Sequence, residues 1–364
     1  MHVIANRGRN IILFKVMHIL NSNKYSGAEN VVIEIINGTK NYCQSAYVSP
    51  YGKIEGFLRK NEIEYIPVKK LSIQSLREAI KTFNPDVIHA HDFRAGMYSC
   101  LTGTGLPIIN HLHNNPPWIK RISLRTVLYA CCCFRFNRIL TVSDSVMDEF
   151  VFGKVFCGKA HVVGNPFNAN RIRTMAIEAK VKQSSDIIFL GRISPQKSPF
   201  FFLDIIAKVK KSIPDVKVAV VGEGELCKEF IEKINEKNLQ ENITMYGFLE
   251  NPYGLLKNAK VMCMPSAWEG FGLAAVEALT LGTPVICSGV GGLSDIVSDI
   301  NGRICHHYVA RYADEIIKLL TNESYLDDKS KGALQSSIRF DNLDIYCKNI
   351  VDLYGELSGC VKHF

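Results

Sequence analysis

Val261-Met-Cys-Met-Pro-Ser-Ala-Trp-Glu-Gly-Phe-Gly-Leu-Ala-Ala-Val-Glu-Ala-Leu-Thr-Leu-Gly-Thr-Pro-Val-Ile-Cys287 reads as one complete unit of an α/β fold. Val261–Met264 is a short apolar run suited to a strand buried on both faces. Leu273–Leu281 is rich in Ala and Leu and lacks Pro and Gly, which predicts a helix beginning near Gly272. Pro284–Cys287 then returns as a second apolar run. Strand, loop, helix and strand in that order build a parallel sheet. Glu269 falls in the loop entering the helix, and Glu277 lies about 12 Å further along at ~1.5 Å per residue. Free amides at a helix start attract anions and polar oxygens. The two carboxylates are therefore spaced to grip two hydroxyl-bearing parts of one extended ligand. A surface helix that merely carries two acids is the alternative, and this segment alone does not separate the two.

The same rhythm runs through the rest of the chain. In the first half, Val16–Leu20, Ala46–Ser49, Val87–His91, Pro107–His111 and Arg138–Val142 are predicted strands, with helices at Glu29–Asn37, Ile54–Lys60 and Ser75–Phe83. After Gly164-Asn-Pro-Phe167 the pattern restarts. Strands are predicted at Ile187–Leu190, Val216–Val221, Ile243–Tyr246, Val261–Met264 and Pro284–Cys287. Their helices are Phe200–Ser212, Glu225–Asn238, Asn251–Asn258 and the one that carries Glu277. The expected architecture is α/β with two Rossmann-like domains, 1–165 and 166–342. Leu343–Leu357 is helical in character, and the last segment, 343–364, is expected to pack back near the junction.

At 364 residues two domains are the default for a chain of this length. No stretch reaches the ~18 apolar residues of a membrane-spanning helix. Residues 1–14 resemble a signal peptide faintly, but Lys15 and His18 interrupt the apolar core and no cleavage site follows. They are read as an upstream extension, with Met17 near the natural start. Twelve cysteines include the run Cys131-Cys132-Cys133 but no CxxC pair and no zinc spacing. A reducing cytosol is the expected compartment. His306-His307 is read as a structural pair in a strand-like stretch.

The net charge of +8 is uneven: residues 1–165 carry +9 and the remainder −1. Between Asp92 and Asp144 there is no acid, while Arg94, Lys120, Arg121, Arg125, Arg135 and Arg138 all fall inside. The first half is thus expected to meet something anionic.

In open α/β sheets ligands bind where loops leave the C-terminal ends of strands. Gly191-Arg192-Ile-Ser-Pro-Gln-Lys197 is such a loop, and its two cations suit a diphosphate. A merely solvated basic loop is the competing reading. Gly222-Glu-Gly224, Gly289-Val-Gly-Gly292 and Tyr25-Ser-Gly27-Ala-Glu29 are further glycine-bearing turns, each of which is taken singly as a plain tight turn. His89 and His91 end one strand, and His111 and His113 follow the next. Alternation places His91 and His113 on one side of a cleft. Metal ligation by these histidines with Asp92 is not expected. The chain has no Asp-x-Asp motif, the usual means of holding a divalent ion on a nucleotide diphosphate.

Taken together, these segments resemble the family-4 retaining glycosyltransferases. Glu269 with Glu277 is similar to that family's E-x7-E motif, and Gly191-Arg192 with Lys197 to its phosphate-binding loop. Ser26-Gly27-Ala-Glu29, Asp86-Val-Ile-His-Ala-His91 and Gly289–Gly292 occur in the family's order, over roughly residues 16–320. The resemblance implies the GT-B fold, two Rossmann-like domains facing each other across a cleft. It implies that Arg192 and Lys197 stabilise the departing diphosphate in place of a metal ion. Glu269 and His113 would then attend the sugar, and Glu277 the ribose. Gly27, Gly191, Gly270, Phe271, Gly272 and Leu273 would line the donor. No cofactor is implied, since the nucleotide-sugar, UDP-linked, is a substrate. Two departures stand out: Gly291-Gly-Leu-Ser-Asp295 replaces the common Gly-Gly-x-Pro-Glu, and Gly164-Asn-Pro-Phe-Asn168 replaces Asn-Gly-Val-Asp.

The expected reaction is transfer of a sugar to a glycan or polyprenyl-diphosphate-linked acceptor, in capsular, exo- or O-antigen polysaccharide synthesis. Trp118–Tyr129 mixes cations with aromatic and aliphatic residues. It is read either as a surface for anionic membrane or lipid acceptor, or as a core helix with a basic edge. Peripheral association with the inner face of a membrane is expected, and nucleic-acid binding is not. A nucleotide-sugar epimerase on the same fold and a non-catalytic nucleotide-sugar-binding subunit are the alternatives.

Overall fold

The computed structural model describes residues 14–181 and 183–359; the proposed extension lies, but for residue 14, outside them. The chain divides into two compact units. One comprises the residues up to Pro166 together with the segment from Asn342 onward, and the other is Phe167–Asp341.

The first unit holds seven parallel strands: β1 (Phe14–Ile19), β2 (Cys43–Pro50), β3 (Glu64–Val68), β4 (Val87–His91), β5 (Ile108–Leu112), β6 (Arg138–Thr141) and β7 (Ala160–Val162). Their spatial order is β3-β2-β1-β4-β5-β6-β7. Helices at Gly27–Thr39, Ile54–Lys60, Ile73–Phe83, Asp92–Leu101 and Leu124–Cys133 connect them. The Leu343–Ser358 helix belongs to this unit, packing on β1, β4 and the Gly27–Thr39 helix. Its Tyr346, Ile350 and Tyr354 close one face of the sheet over Val16, Val87, Ile109 and Leu140.

The second unit holds six parallel strands: β8 (Ser185–Leu190), β9 (Val218–Val221), β10 (Ile243–Gly247), β11 (Ala259–Met264), β12 (Val285–Cys287) and β13 (Gly302–Ile304). The order is β10-β9-β8-β11-β12-β13. Alternate residues bury on opposite faces: Met262 and Met264 enter one cluster, Val261 and Cys263 the other. Both faces are therefore covered, as continuous apolar strands require.

The predicted strands all form, within a few residues of their expected ends, whereas β3, β7 and β13 are additional. The His306-His307 pair is not in a strand. It lies in an exposed turn after β13, with His306 at φ 45°. The helix that carries Glu277 runs Leu273–Thr280, entered through Gly272 at φ 99°.

Candidate active site

In the second unit four loops leave the C-terminal ends of β8, β9, β11 and β12 and pack onto one another. Their contact is made by backbone, and glycine permits it. A Cβ at Gly222 would lie 1.9 Å from the Gly191 carbonyl oxygen, and one at Gly224 2.2 Å from that of Ile193. Likewise a Cβ at Gly291 would lie 1.8 Å from the Glu269 carbonyl oxygen. The Gly222–Gly224 turn thus serves close loop packing rather than a dinucleotide fingerprint. The Gly289–Gly292 turn is also less open than its sequence suggests, because the Gly292 amide donates to the Gly270 carbonyl at 3.0 Å.

Side chains tie the loops further. The Lys197 ammonium donates to Glu269 Oε1, both side chains being largely buried. Ser266 Oγ donates to the same carboxylate oxygen at 2.7 Å. Gln196 links the two loops through Nε2 to the Trp268 carbonyl at 3.1 Å, while its own carbonyl accepts from the Ala267 amide at 2.8 Å. Arg192 is exposed and donates to Gln196 Oε1 at 3.3 Å. A buried acid paired with Lys197 beside an exposed guanidinium leaves an electropositive mouth over a fixed carboxylate.

Glu277 projects from the Leu273–Thr280 helix and accepts from Tyr253 Oη at 3.0 Å. Its carboxyl is pushed up to about 7 by burial, which outweighs the Tyr253 hydrogen bond and the charges of Lys197 and Arg171. Lys197 therefore acts electrostatically on both glutamates. Gly191 is at φ 151° against the Lys197 stem, and a Cβ there would lie 3.1 Å from Lys197 Cε. Gly270 and Phe271 fill the turn before the helix, Leu273 opens it, and Phe271 meets Phe340 edge-on.

The first unit gathers five histidines at the C-terminal ends of β1, β4 and β5, on the face covered by the Leu343–Ser358 helix. His91 Nδ1 and His113 Nε2 lie 2.9 Å apart, and His91 Nε2 and His18 Nδ1 3.1 Å. His89 Nδ1 meets Tyr354 Oη at 2.7 Å, and His89 stacks on both His91 and His111. Burial depresses them all, His18 and His113 to about 3, so the cluster is neutral. Among the described residues, two sets, His18-His89-His91 and His91-His111-His113, each bring one ring nitrogen per residue within 4.8 Å of the others, close enough to share an ion. Asp92, at φ 65°, belongs to neither set and accepts the His113 amide through Oδ1 at 2.9 Å.

Gly27 starts the Gly27–Thr39 helix, and no atom lies within 4 Å of where its Cβ would be. Ser26 donates to Glu29, a buried acid whose pKa is raised by burial. Sequence reasoning missed His18, Ser266, Tyr253 and Gln196. Of these Gln196, which lies between Arg192 and Lys197 in one loop, carried a local signal. Ser266 lies three positions before Glu269 in the same loop, and His18 and Tyr253 come from segments distant in sequence.

A family model described as glycosyl transferases group 1 matches residues 170–335, and one described as glycosyltransferase family 4 matches residues 51–171. An uncharacterized glycosyltransferase of Methanocaldococcus jannaschii is 30% identical over 57% of this chain, which spans 56% of that protein. The capsular polysaccharide biosynthesis glycosyltransferase CapH of Staphylococcus aureus is 26% identical, over 78% of this chain and 84% of its own length. The UDP-Gal:α-D-GlcNAc-diphosphoundecaprenol α-1,3-galactosyltransferase of Escherichia coli is 22% identical, over 78% of each chain. Among solved structures, Anabaena Alr3699/HepE in complex with UDP-glucose aligns with a TM-score of 0.82. It covers 94% of this chain and 100% of that one at 19% identity, a likeness of GT-B fold.

Proposed function

Because the chain belongs to the group 1 glycosyl transferases and is itself a glycosyltransferase, we propose that it moves a hexose from a UDP-linked sugar to a glycan or polyprenyl-diphosphate-linked acceptor, with retention of anomeric configuration, in surface-polysaccharide synthesis. The observation that carries this reading is the Lys197–Glu269 pair beside exposed Arg192 at the ends of β8 and β11. Arg192 and Lys197 meet the diphosphate and stabilise the negative charge that grows on it as the sugar departs. Glu269, held by Lys197 and Ser266, orients the sugar hydroxyls. Glu277 accepts from the ribose hydroxyls. His113 and Gly27 take the roles near the sugar and the diphosphate that the family resemblance implies. The two cations supply the charge that a divalent ion would otherwise bring, so the proposed reaction runs without a metal or other cofactor.

The test is a panel of nucleotide-sugars screened by thermal stabilisation, followed by a transfer assay on the ones that bind. Binding only to the folded state raises its stability. A UDP-sugar that stabilises the protein and is consumed only with acceptor supports transfer. Conversion of one nucleotide-sugar into its epimer without acceptor would show an epimerase instead. Binding without any turnover would show a non-catalytic subunit.

We further propose peripheral membrane association through the first unit. No helix among the described residues is long and apolar enough to cross a membrane. Leu124 and Leu128 are exposed one turn apart on a single helix, next to exposed Ile122 and Phe134. Lys120, Arg121 and Arg125 are exposed on the same stretch. Exposed apolar side chains interleaved with cations suit an anionic bilayer surface. Failure to co-sediment with anionic vesicles at low salt would contradict this.

A further inference from the structure

The acid-free stretch after Asp92 has a local consequence in the first unit. Arg94, on the Asp92–Leu101 helix, and Arg125, on the Leu124–Cys133 helix, both line a cavity of about 410 Å³ and a neighbouring one of about 180 Å³. Neither guanidinium is in an ion pair among the described residues. Arg125 lies 3.8 Å over the Trp118 ring, which holds its position without neutralising it. Partial burial, and then the Arg94 charge, hold the Arg125 guanidinium below its usual range. Two like charges brought together without an ion-paired carboxylate are unfavourable until an anion joins them.

The acids lining the larger cavity do not fill that need. Glu29 accepts from Ser26 and is shifted toward its neutral form by burial, and Asp92, which accepts the His113 amide, forms no ion pair with either arginine. The two cavities differ in chemistry. The larger one presents Asn21, Ser22, Glu29 and Asn114, which are hydrogen-bonding groups suited to hydroxyls. Beside the two arginines, the smaller is lined by Met97, Tyr98 and Leu101, with Leu101 half exposed. The arginines thus stand at a boundary between a polar pocket and an apolar groove.

We propose that Arg94 and Arg125 bind the diphosphate of a lipid-linked acceptor, with its sugar in the larger cavity and its hydrocarbon chain along Met97, Tyr98 and Leu101. A diphosphate offers enough oxygens to engage both guanidinium forks at once. The assignment rests on reading the chain as a transferase with a lipid-linked acceptor. It adds which residues recognise that acceptor and by which part.

The test is calorimetric titration of the full chain with farnesyl diphosphate as probe, alongside farnesyl monophosphate, inorganic pyrophosphate and farnesol. Farnesyl diphosphate should bind tightest. Arg94→Gln and Arg125→Gln should each weaken it about tenfold, and the double variant about a hundredfold. Both side chains are exposed, so unfolding midpoints should not move. Stabilisation by nucleotide-sugar should also persist in every variant. Unchanged farnesyl diphosphate affinity in the double variant would overturn the site. So would inorganic pyrophosphate binding equally well, which marks a pocket for free anions, or farnesol doing so, which leaves the charges without a role. A wild-type protein stabilised by nucleotide-sugar but indifferent to farnesyl diphosphate loses this site and keeps its transferase reading. A wild-type protein indifferent to every nucleotide-sugar loses that reading, and the acceptor role falls with it.

Discussion

Lys197 and Glu269, 72 positions apart in the chain, are paired side chain to side chain and join the loop after β8 to the loop after β11. The pair is 15% and 8% exposed, so removing either partner strands the other with little water. Lys197→Met or Glu269→Gln alone should each destabilise by about 3 kcal/mol. The double variant should lose clearly less than the sum, because no unpaired charge remains. Urea unfolding of the four proteins measures this, and strict additivity would refute the coupling.

Arg192 stands in contrast, since it is exposed and bonded only weakly to Gln196. Arg192→Ala should leave stability within about 0.5 kcal/mol. It should lower the transfer rate on the order of a hundredfold or more, as expected for a group that stabilises growing charge. Steady-state kinetics and a melting curve together decide it; full activity would remove Arg192 from the reaction.

Gly222→Ala and Gly291→Ala should each destabilise the second unit by about 2 kcal/mol or more, because the new methyl meets a carbonyl oxygen and φ is positive at both positions. Gly27→Ala serves as the control, with open space around it. Limited proteolysis or chemical unfolding reads the difference. Equal effects at all three sites would contradict the packing argument.

Glu277 gives a pH dependence near neutrality. Its folded pKa is about 7, above the ordinary value of 4.5, so the folded state holds the proton more tightly than the unfolded chain. Stability from this group is full below about pH 4.5 and is lost as pH rises through 7. Donor affinity should move oppositely, rising through pH 7 as the carboxylate ionises and accepts from hydroxyls. Glu277→Gln should flatten both profiles. Calorimetric donor titrations at pH 6 and 8 with no difference in wild type would count against the ribose role.

The histidine cluster has the opposite sign. His18 and His113 are held at about 3 against an ordinary 6.5, and His89, His91 and His111 are depressed as well. The unfolded chain binds these protons first, so stability falls as pH drops below 6.5 toward 3. Each buried imidazole adds a slope of up to about 1.4 kcal/mol per pH unit. His18→Asn should reduce the acid sensitivity of unfolding, followed by circular dichroism between pH 7 and 4.

The alternation of apolar runs and Ala/Leu-rich segments made the two parallel sheets legible, because buried strands such as β9 and β11 are apolar almost throughout. The strands it missed lie at sheet edges. In β3 and β7 most positions are exposed or half-buried, and β13 has only three residues, so burial left little periodic trace. The Asp92–Leu101 helix escaped notice partly through Gly96, a poor helix former. It is needed there because a Cβ would come within 2.6 Å of the Asn110 amide nitrogen on β5. At the site, Arg192, Lys197, Glu269 and Glu277 were legible because each sits in a strand–loop–helix connection with a recognisable spacing. Tyr253 and Ser266 were not, since their use depends on which side chain they happen to meet.

The four glycine-seated loops of the second unit share backbone contacts so close that none can lengthen, shift or accept a side chain without displacing its neighbour. This loop platform therefore behaves as one cast piece. Under the proposed donor role, a new sugar preference among descendants of this sequence would arise by exchanging side chains carried on these loops, such as Trp268 or Phe271. Remodelling the loops themselves is closed to it.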